Sequence, residues 1–123
     1  MKHAFAFVPI FALCALLSGT GTAWSGTVEA GAFSGISGVL NDRCVKCHSG
    51  DKPADGLRLD TYENVMAGTK HGPVVVAGQP AKSPMIRRIK GTAKPRMPIG
   101  GPPWLSKEET AAIEAWIGGG ALR

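Results

Sequence analysis

After its first two dozen residues this chain has no second long apolar run, and between Asn64 and Lys107 it has no acidic side chain. It carries three cysteines, few aromatics (7%) and no internal repeat in its 123 residues. Each shortage excludes something. A single apolar run rules out a chain that crosses a membrane several times. The length allows one domain at most. Beyond residue 25 the aromatics are Phe33, Tyr62, Trp104 and Trp116, so residues 26–123 can build only a marginal core from ordinary side chains. Small exported domains of that size rely on a disulfide, a metal or a cofactor. Nothing in the chain resembles a helix–turn–helix or an aromatic-interleaved basic stretch, so nucleic acid is not an expected partner.

The one apolar run is at the start. Met1-Lys2-His3 is a short basic segment, Ala4 to Leu17 is uncharged, and small residues follow in "SGTGTAWSG". This layout is that of a secretory signal, with cleavage after Ser25 preferred to Ala23 because "AWS" puts small residues at both recognition positions. An uncleaved N-terminal anchor is the lesser alternative. The expected organisation is a signal peptide at 1–25 and one domain at 26–123, with 26–32 as a flexible lead-in. Cys14 leaves with the signal, so Cys44 and Cys47 must account for each other.

Within the domain the pattern is short helices and long connections. Phe33, Ile36, Val39 and Leu40 recur at helical steps and lead directly into Cys44. "LRLDT" alternates as a short extended stretch, "TYENVMAG" reads as one helical segment, and "PVVVAGQP" as an extended run closed by a turn. Ser83-Pro84 offers an N-cap with proline at the first helical position, opening a helix through Ile89. "KPRMPIGGPPW" is too rich in proline and glycine for helix. Ser106 and Glu109 form a capping box, worth about 1 kcal/mol for the cap, ahead of an apolar face of Ile113, Trp116 and Ile117. The fold class is all-α, with three or four short helices.

"RCVKCHSG" then carries the chemistry. On a helical turn Cys44, Cys47 and His48 share one side. Two thiols can add to the two vinyl groups on one edge of a porphyrin while the adjacent imidazole reaches the iron, and Cys-x-x-Cys-His is the attachment signature of c-type haem. Zinc would need a fourth ligand, for which only the isolated His71 is at hand. A thioredoxin-like dithiol would need a βαβ context and has no use for His48. A disulfide would close too short a loop to stabilise much.

A second axial ligand separates electron transfer from small-molecule chemistry. Met66 and Met85 lie in helical apolar patterns that read as core. Met97 has no such pattern, and Pro95 and Pro98 hold an extended backbone on both sides of it. Met97 is the favoured ligand, with His71 next. Arg58 and Tyr62 are candidates for haem propionates on spacing alone.

The stretches "CVKCHSG", "GLRLDT", "GQPAKSPMIRRI", "PRMPIGGPP" and "LSKEETAAIEAWIGGGA" resemble the class I cytochrome c superfamily, in detail its small planctomycete-type domain. The resemblance covers nearly everything after residue 32. It implies a helical ball around one haem c per chain, covalently bound through Cys44 and Cys47, with His48 and Met97 as axial ligands and the first and last helices crossing. Met85 stands where relatives usually carry an apolar residue.

Charge segregates along the domain. Residues 29–63 sum to −2, residues 64–107 to +8 and residues 108–123 to −2. A one-signed basic segment leading up to Met97 would steer an acidic redox partner; a solvated face that also neutralises propionates is the plainer alternative. The combined expectation is an exported, periplasmic, monomeric monohaem electron carrier, not an enzyme, with no membrane contact after cleavage or a peripheral one. The rivals are a ligand-binding, sensor or peroxidase-like haem protein with an open sixth site, and a permanent haem subunit of a dehydrogenase.

Overall fold

The computed structural model describes residues 31–123; the expected signal peptide at 1–25 and most of the expected lead-in at 26–32 lie outside the described residues. Four α-helices follow in order: α1 Ser34–Arg43, α2 Tyr62–Ala67, α3 Pro84–Lys90 and α4 Lys107–Gly118. Single turns of 3₁₀ helix occupy Ala54–Gly56 and Pro80–Lys82. Among the described residues there is no β-strand, only isolated bridges at Ala32–Leu122 and Thr69–Gly72. The architecture is all-α, as the periodicities indicate.

Helix α4 organises the rest. Both α1 and α3 pack against it, and so does the Pro80–Lys82 turn. Its buried face, Ile113 and one turn later the adjacent pair Trp116 and Ile117, meets Ile36 and Leu40 of α1 and Ile86 and Ile89 of α3 in one core. The capping box is present in full: Ser106 Oγ accepts from the Glu109 N–H at 3.0 Å, and Glu109 Oε2 accepts from the Ser106 N–H at 2.7 Å. Beyond Gly118 the chain turns back, so that Trp116 Nε1 donates to the Leu122 carbonyl at 2.7 Å. The Phe33 ring lies edge-on to both Trp116 and Tyr62, with centroids 5.8 Å apart in each case. The start of α1 and the end of the chain are thereby fastened to one aromatic group.

Helix α3 opens at Pro84 as expected, but Ser83 does not cap it with its side chain. The Met85 N–H, one of the two donors such a cap could serve, is taken by the Val74 carbonyl at 3.0 Å. The fully buried Ser83 hydroxyl instead accepts from the Val76 N–H at 2.9 Å and donates to the Gln79 carbonyl at 3.0 Å. It thus secures the turn that leads into the helix. Helix α2 is capped conventionally by Thr61, whose Oγ1 accepts from the Asn64 N–H at 3.2 Å.

Ahead of α2, Asp60 accepts from Arg58 Nη2 and from Asn64 Nδ2, each at 2.8 Å. These two bonds, Arg58 first, hold the Asp60 carboxyl below its ordinary value of 3.8. Its contribution to stability is complete above the ordinary carboxylate range and is lost as pH falls through the lowered folded value. Two measurements follow. Ser83→Ala should destabilise the protein by about 1–3 kcal/mol, because the half-buried Val76 N–H is left without its partner. Denaturant midpoints at neutral pH should show a larger loss than for the exposed cap variant Ser106→Ala. As pH falls below the ordinary carboxylate range the midpoint of the wild type should fall relative to that of Asp60→Asn, which removes the titration.

Candidate functional site

The segment from Cys44 to His48 prolongs α1 by one irregular turn. The N–H groups of Cys44 and Val45 both donate to the Leu40 carbonyl at 2.9 Å, and those of Cys47 and His48 donate to the Cys44 carbonyl at 3.1 and 3.0 Å. Cys44 sits at φ −128°, which breaks the helix while keeping the chain coiled. Ser49 Oγ donates to the Val45 carbonyl at 2.7 Å and closes the turn. Both thiols are free; Cys44 is half-buried and Cys47 exposed.

His48 is buried, at 9% exposure. Its carbonyl accepts from the Leu59 N–H at 2.8 Å, and its Nδ1 lies 3.3 Å from the Leu57 carbonyl oxygen. A carbonyl can only accept, so this contact puts the proton on Nδ1 and leaves the lone pair on Nε2. A metal-ligating histidine takes this form, with the second nitrogen held by a backbone acceptor that sets tautomer and ring orientation.

The thiol chemistry narrows the choice further. Burial pushes the Cys44 thiol up to about 11, against the smaller opposing effect of Arg43. A thiol-exchange centre needs the opposite shift, toward thiolate at neutral pH. Among the described residues no three His, Cys, Asp or Glu side chains come together in a way that could hold a metal ion by themselves. Cys44, Cys47, His48 and His71 therefore do not assemble as a zinc site. Two free thiols a turn apart, beside an imidazole with an available Nε2, fit haem attachment.

The methionines are distributed differently. Met85 is buried in the core on α3, and Met66 packs against the same core from α2. His71 is exposed in a tight turn, its N–H donating to Thr69 Oγ1 at 3.0 Å. Met97 is half-buried in the proline-rich loop, and its N–H donates to the Arg88 carbonyl at 3.0 Å. Arg58 pairs with Asp60. The Tyr62 ring lies against Phe33, with the Arg123 guanidinium 5.5 Å from its centroid and Arg123 paired with Glu63.

Sequence reasoning missed Leu57 and Leu59, whose backbones hold His48, and the arginines that fasten the Met97 loop. Backbone partners leave no trace in residue type. The stack of Arg96 on Trp104 had one signal, a glycine against each partner, Gly91 beside Arg96 and Gly101 beside Trp104.

The family described as planctomycete cytochrome C matches residues 44–99, from the first cysteine of the turn to two residues past Met97. Searches of curated proteins and of solved structures found no match. The matched segment holds both the Cys44–His48 turn and the Met97 loop, and its match to the planctomycete cytochrome c family indicates a haem-binding c-type cytochrome.

Proposed function

We propose that the protein is an exported monohaem electron carrier, with Cys44 and Cys47 as thioether tethers and His48 and Met97 as axial ligands. The observation that carries this reading is the Nδ1 contact of His48 with Leu57, which leaves Nε2 free to bind iron. When bound, haem supplies a one-electron couple at its iron. The chain's own part is to hold the ring by two covalent bonds, to present an imidazole oriented by the Leu57 carbonyl, and to keep a thioether on a restrained loop. One attachment motif implies one haem. Two protein ligands leave no coordination position for a substrate, so no bond-making chemistry is assigned and the protein is not an enzyme.

Export is supported by the signal-like N-terminus, and no helix among the described residues is long and apolar enough to cross a membrane. A periplasmic monomer is the form this reading takes. The partner would be an acidic redox protein. Lys82, Arg87, Lys94 and Lys107 are exposed in the stretch that has no acidic residue, whereas Lys90 is neutralised by Glu114 at 2.8 Å.

Protein matured in a c-type cytochrome host should show the far-red sulfur-to-iron charge-transfer band when oxidised. Met97→Ala should abolish it and lower the midpoint potential by on the order of 0.1 V, part of the ~0.8 V that axial ligands command. Met85→Ala should leave the band intact. A wild type without the band that binds carbon monoxide readily would establish the open-site reading instead, and co-purification with a dehydrogenase would establish the subunit reading. The association rate with an acidic redox partner should drop by about tenfold or more from low to physiological ionic strength; a flat rate would remove the steering role.

A further inference from the structure

The loop carrying Met97 has no secondary structure of its own. Prolines at 95, 98, 102 and 103 limit local rotation, but Gly100 and Gly101 restore freedom between them. Proline alone therefore cannot decide where the segment goes. Something else must hold it, and the fasteners are arginines.

At the near end, the Met97 N–H donates to the Arg88 carbonyl at 3.0 Å, and Arg88 Nη1 donates to the Pro95 carbonyl at 3.3 Å. Arg96 turns back so that its Nε donates to the Ile89 carbonyl at 3.1 Å. Arg88 and Ile89 lie in the last turn of α3, where carbonyls have no partner within the helix. The Ile89 carbonyl finds its donor in the loop, the Arg88 carbonyl takes the Met97 N–H beside that of Gly91 at 3.1 Å, and the helix end in turn fixes the loop.

The Arg96 guanidinium then lies over the Trp104 indole, 4.0 Å from the ring centroid. Both partners need a neighbouring glycine. A Cβ on Gly101 would fall 2.3 Å from Trp104 Cδ1, so only glycine lets the ring rest on the loop's own backbone. A Cβ on Gly91 would fall 2.8 Å from Arg96 Cδ, at a residue whose φ is already +76°. Trp104 remains 36% exposed, so its ring is not simply a core side chain. The stack closes the segment from 96 to 104 on itself.

The far end is tied to the attachment turn. Arg43 Nη2 donates to the carbonyls of Pro103 and Trp104 at 3.2 and 2.8 Å, and its Nε lies 3.9 Å from Glu109 Oε1. Arg43 is the residue immediately before Cys44. A continuous line of contacts thus runs from the haem-attachment turn through Arg43, Trp104 and Arg96 to the backbone of Met97.

We propose that Arg96, Trp104 and Arg43 act together as a clasp that positions Met97 relative to the Cys44–His48 turn. They are positioning residues, acting through the loop backbone. That this places an iron ligand rests on the reading of Met97 given above; that the clasp holds the Met97 backbone does not.

The test uses the oxidised holoprotein and follows amide hydrogen exchange at Met97 and at Leu59, together with the charge-transfer band and carbon monoxide binding to the reduced form. Trp104→Ala should speed exchange at the Met97 amide by about threefold to thirtyfold, the range open to a cation–π contact, and leave the Leu59 amide unchanged. Arg96→Lys, which loses the planar stack and the Nε bond, should behave in the same way. Trp104→Phe keeps a ring face and the backbone carbonyl, and should stay within about twofold of the wild type. The band should weaken and carbon monoxide bind faster in the first two variants but not in the third. Unchanged exchange at Met97 in Trp104→Ala overturns the clasp. A rise of equal size at Met97 and Leu59 also overturns it, since that is general loosening. If the wild type itself lacks the band, the ligand role of Met97 fails, and the exchange rates still decide the clasp.

Discussion

The imidazole of His48 is gripped by one short extended stretch, and the arrangement of the site depends on that grip. The Leu57 carbonyl and the Leu59 N–H both face it, one on the ring nitrogen and one on the His48 carbonyl. In an extended chain the polar groups of residues i and i+2 point to the same side, so a run of three residues can hold both ends of a histidine. The intervening Arg58 then faces away and is free to pair with Asp60. Leu59 also buries its side chain in the core, which anchors the stretch itself. The same few residues therefore orient a candidate ligand and lead the chain into α2.

Around this point the helices do ordinary work. Helices α1 and α3 converge on α4, and Trp116 ties the chain's end to its own helix while its ring meets Phe33. Residues 31–123 fasten their two ends with one bridge, one indole hydrogen bond and one aromatic contact. That leaves the middle of the chain, from Cys44 to Leu105, free to be mostly connection. A small all-α domain with long connections can place functional groups from several segments near one another, provided each connection is secured.

The two halves of the site are secured in different ways. On the attachment side the fastening is backbone to backbone, or backbone to the His48 ring, and it follows from a helical turn meeting an extended stretch. On the Met97 side there is no repeating structure to lean on, so long side chains reach across to satisfy the open carbonyls of α3 and of the loop itself. Arginine suits this because its fork can donate to a carbonyl and stack on an indole at once. The difference bears on motion. Backbone fastening loosens only when an element unfolds, whereas a side-chain clasp can open locally.

Much of this was legible in the residues alone. The turn at Cys44–His48, the capping box at Ser106, proline at the head of α3 and the helical class each follow from short-range rules, because each is decided by neighbours within one or two turns. Met66 and Met85 read as core from helical periodicity, and the structure packs both with the core. What short-range rules could not reach were contacts between distant residues. Ser83 had the look of a cap, yet its hydroxyl serves Val76 and Gln79, while the Val74 carbonyl takes the Met85 N–H at the helix start. Arg58 and Tyr62 are propionate candidates on spacing alone, and the fold adds what spacing could not show, their protein partners: Asp60 for Arg58, Phe33 and Arg123 for Tyr62. Arg43 and Trp104 are sixty-one positions apart, and no local pattern announces that one donates to the other. The sequence by itself thus determined which residues are candidates for the chemistry and which segments coil. Only the tertiary structure decided which side chains hold those segments in place, because a hydrogen bond needs its two partners within about 3 Å and that proximity is created by the fold.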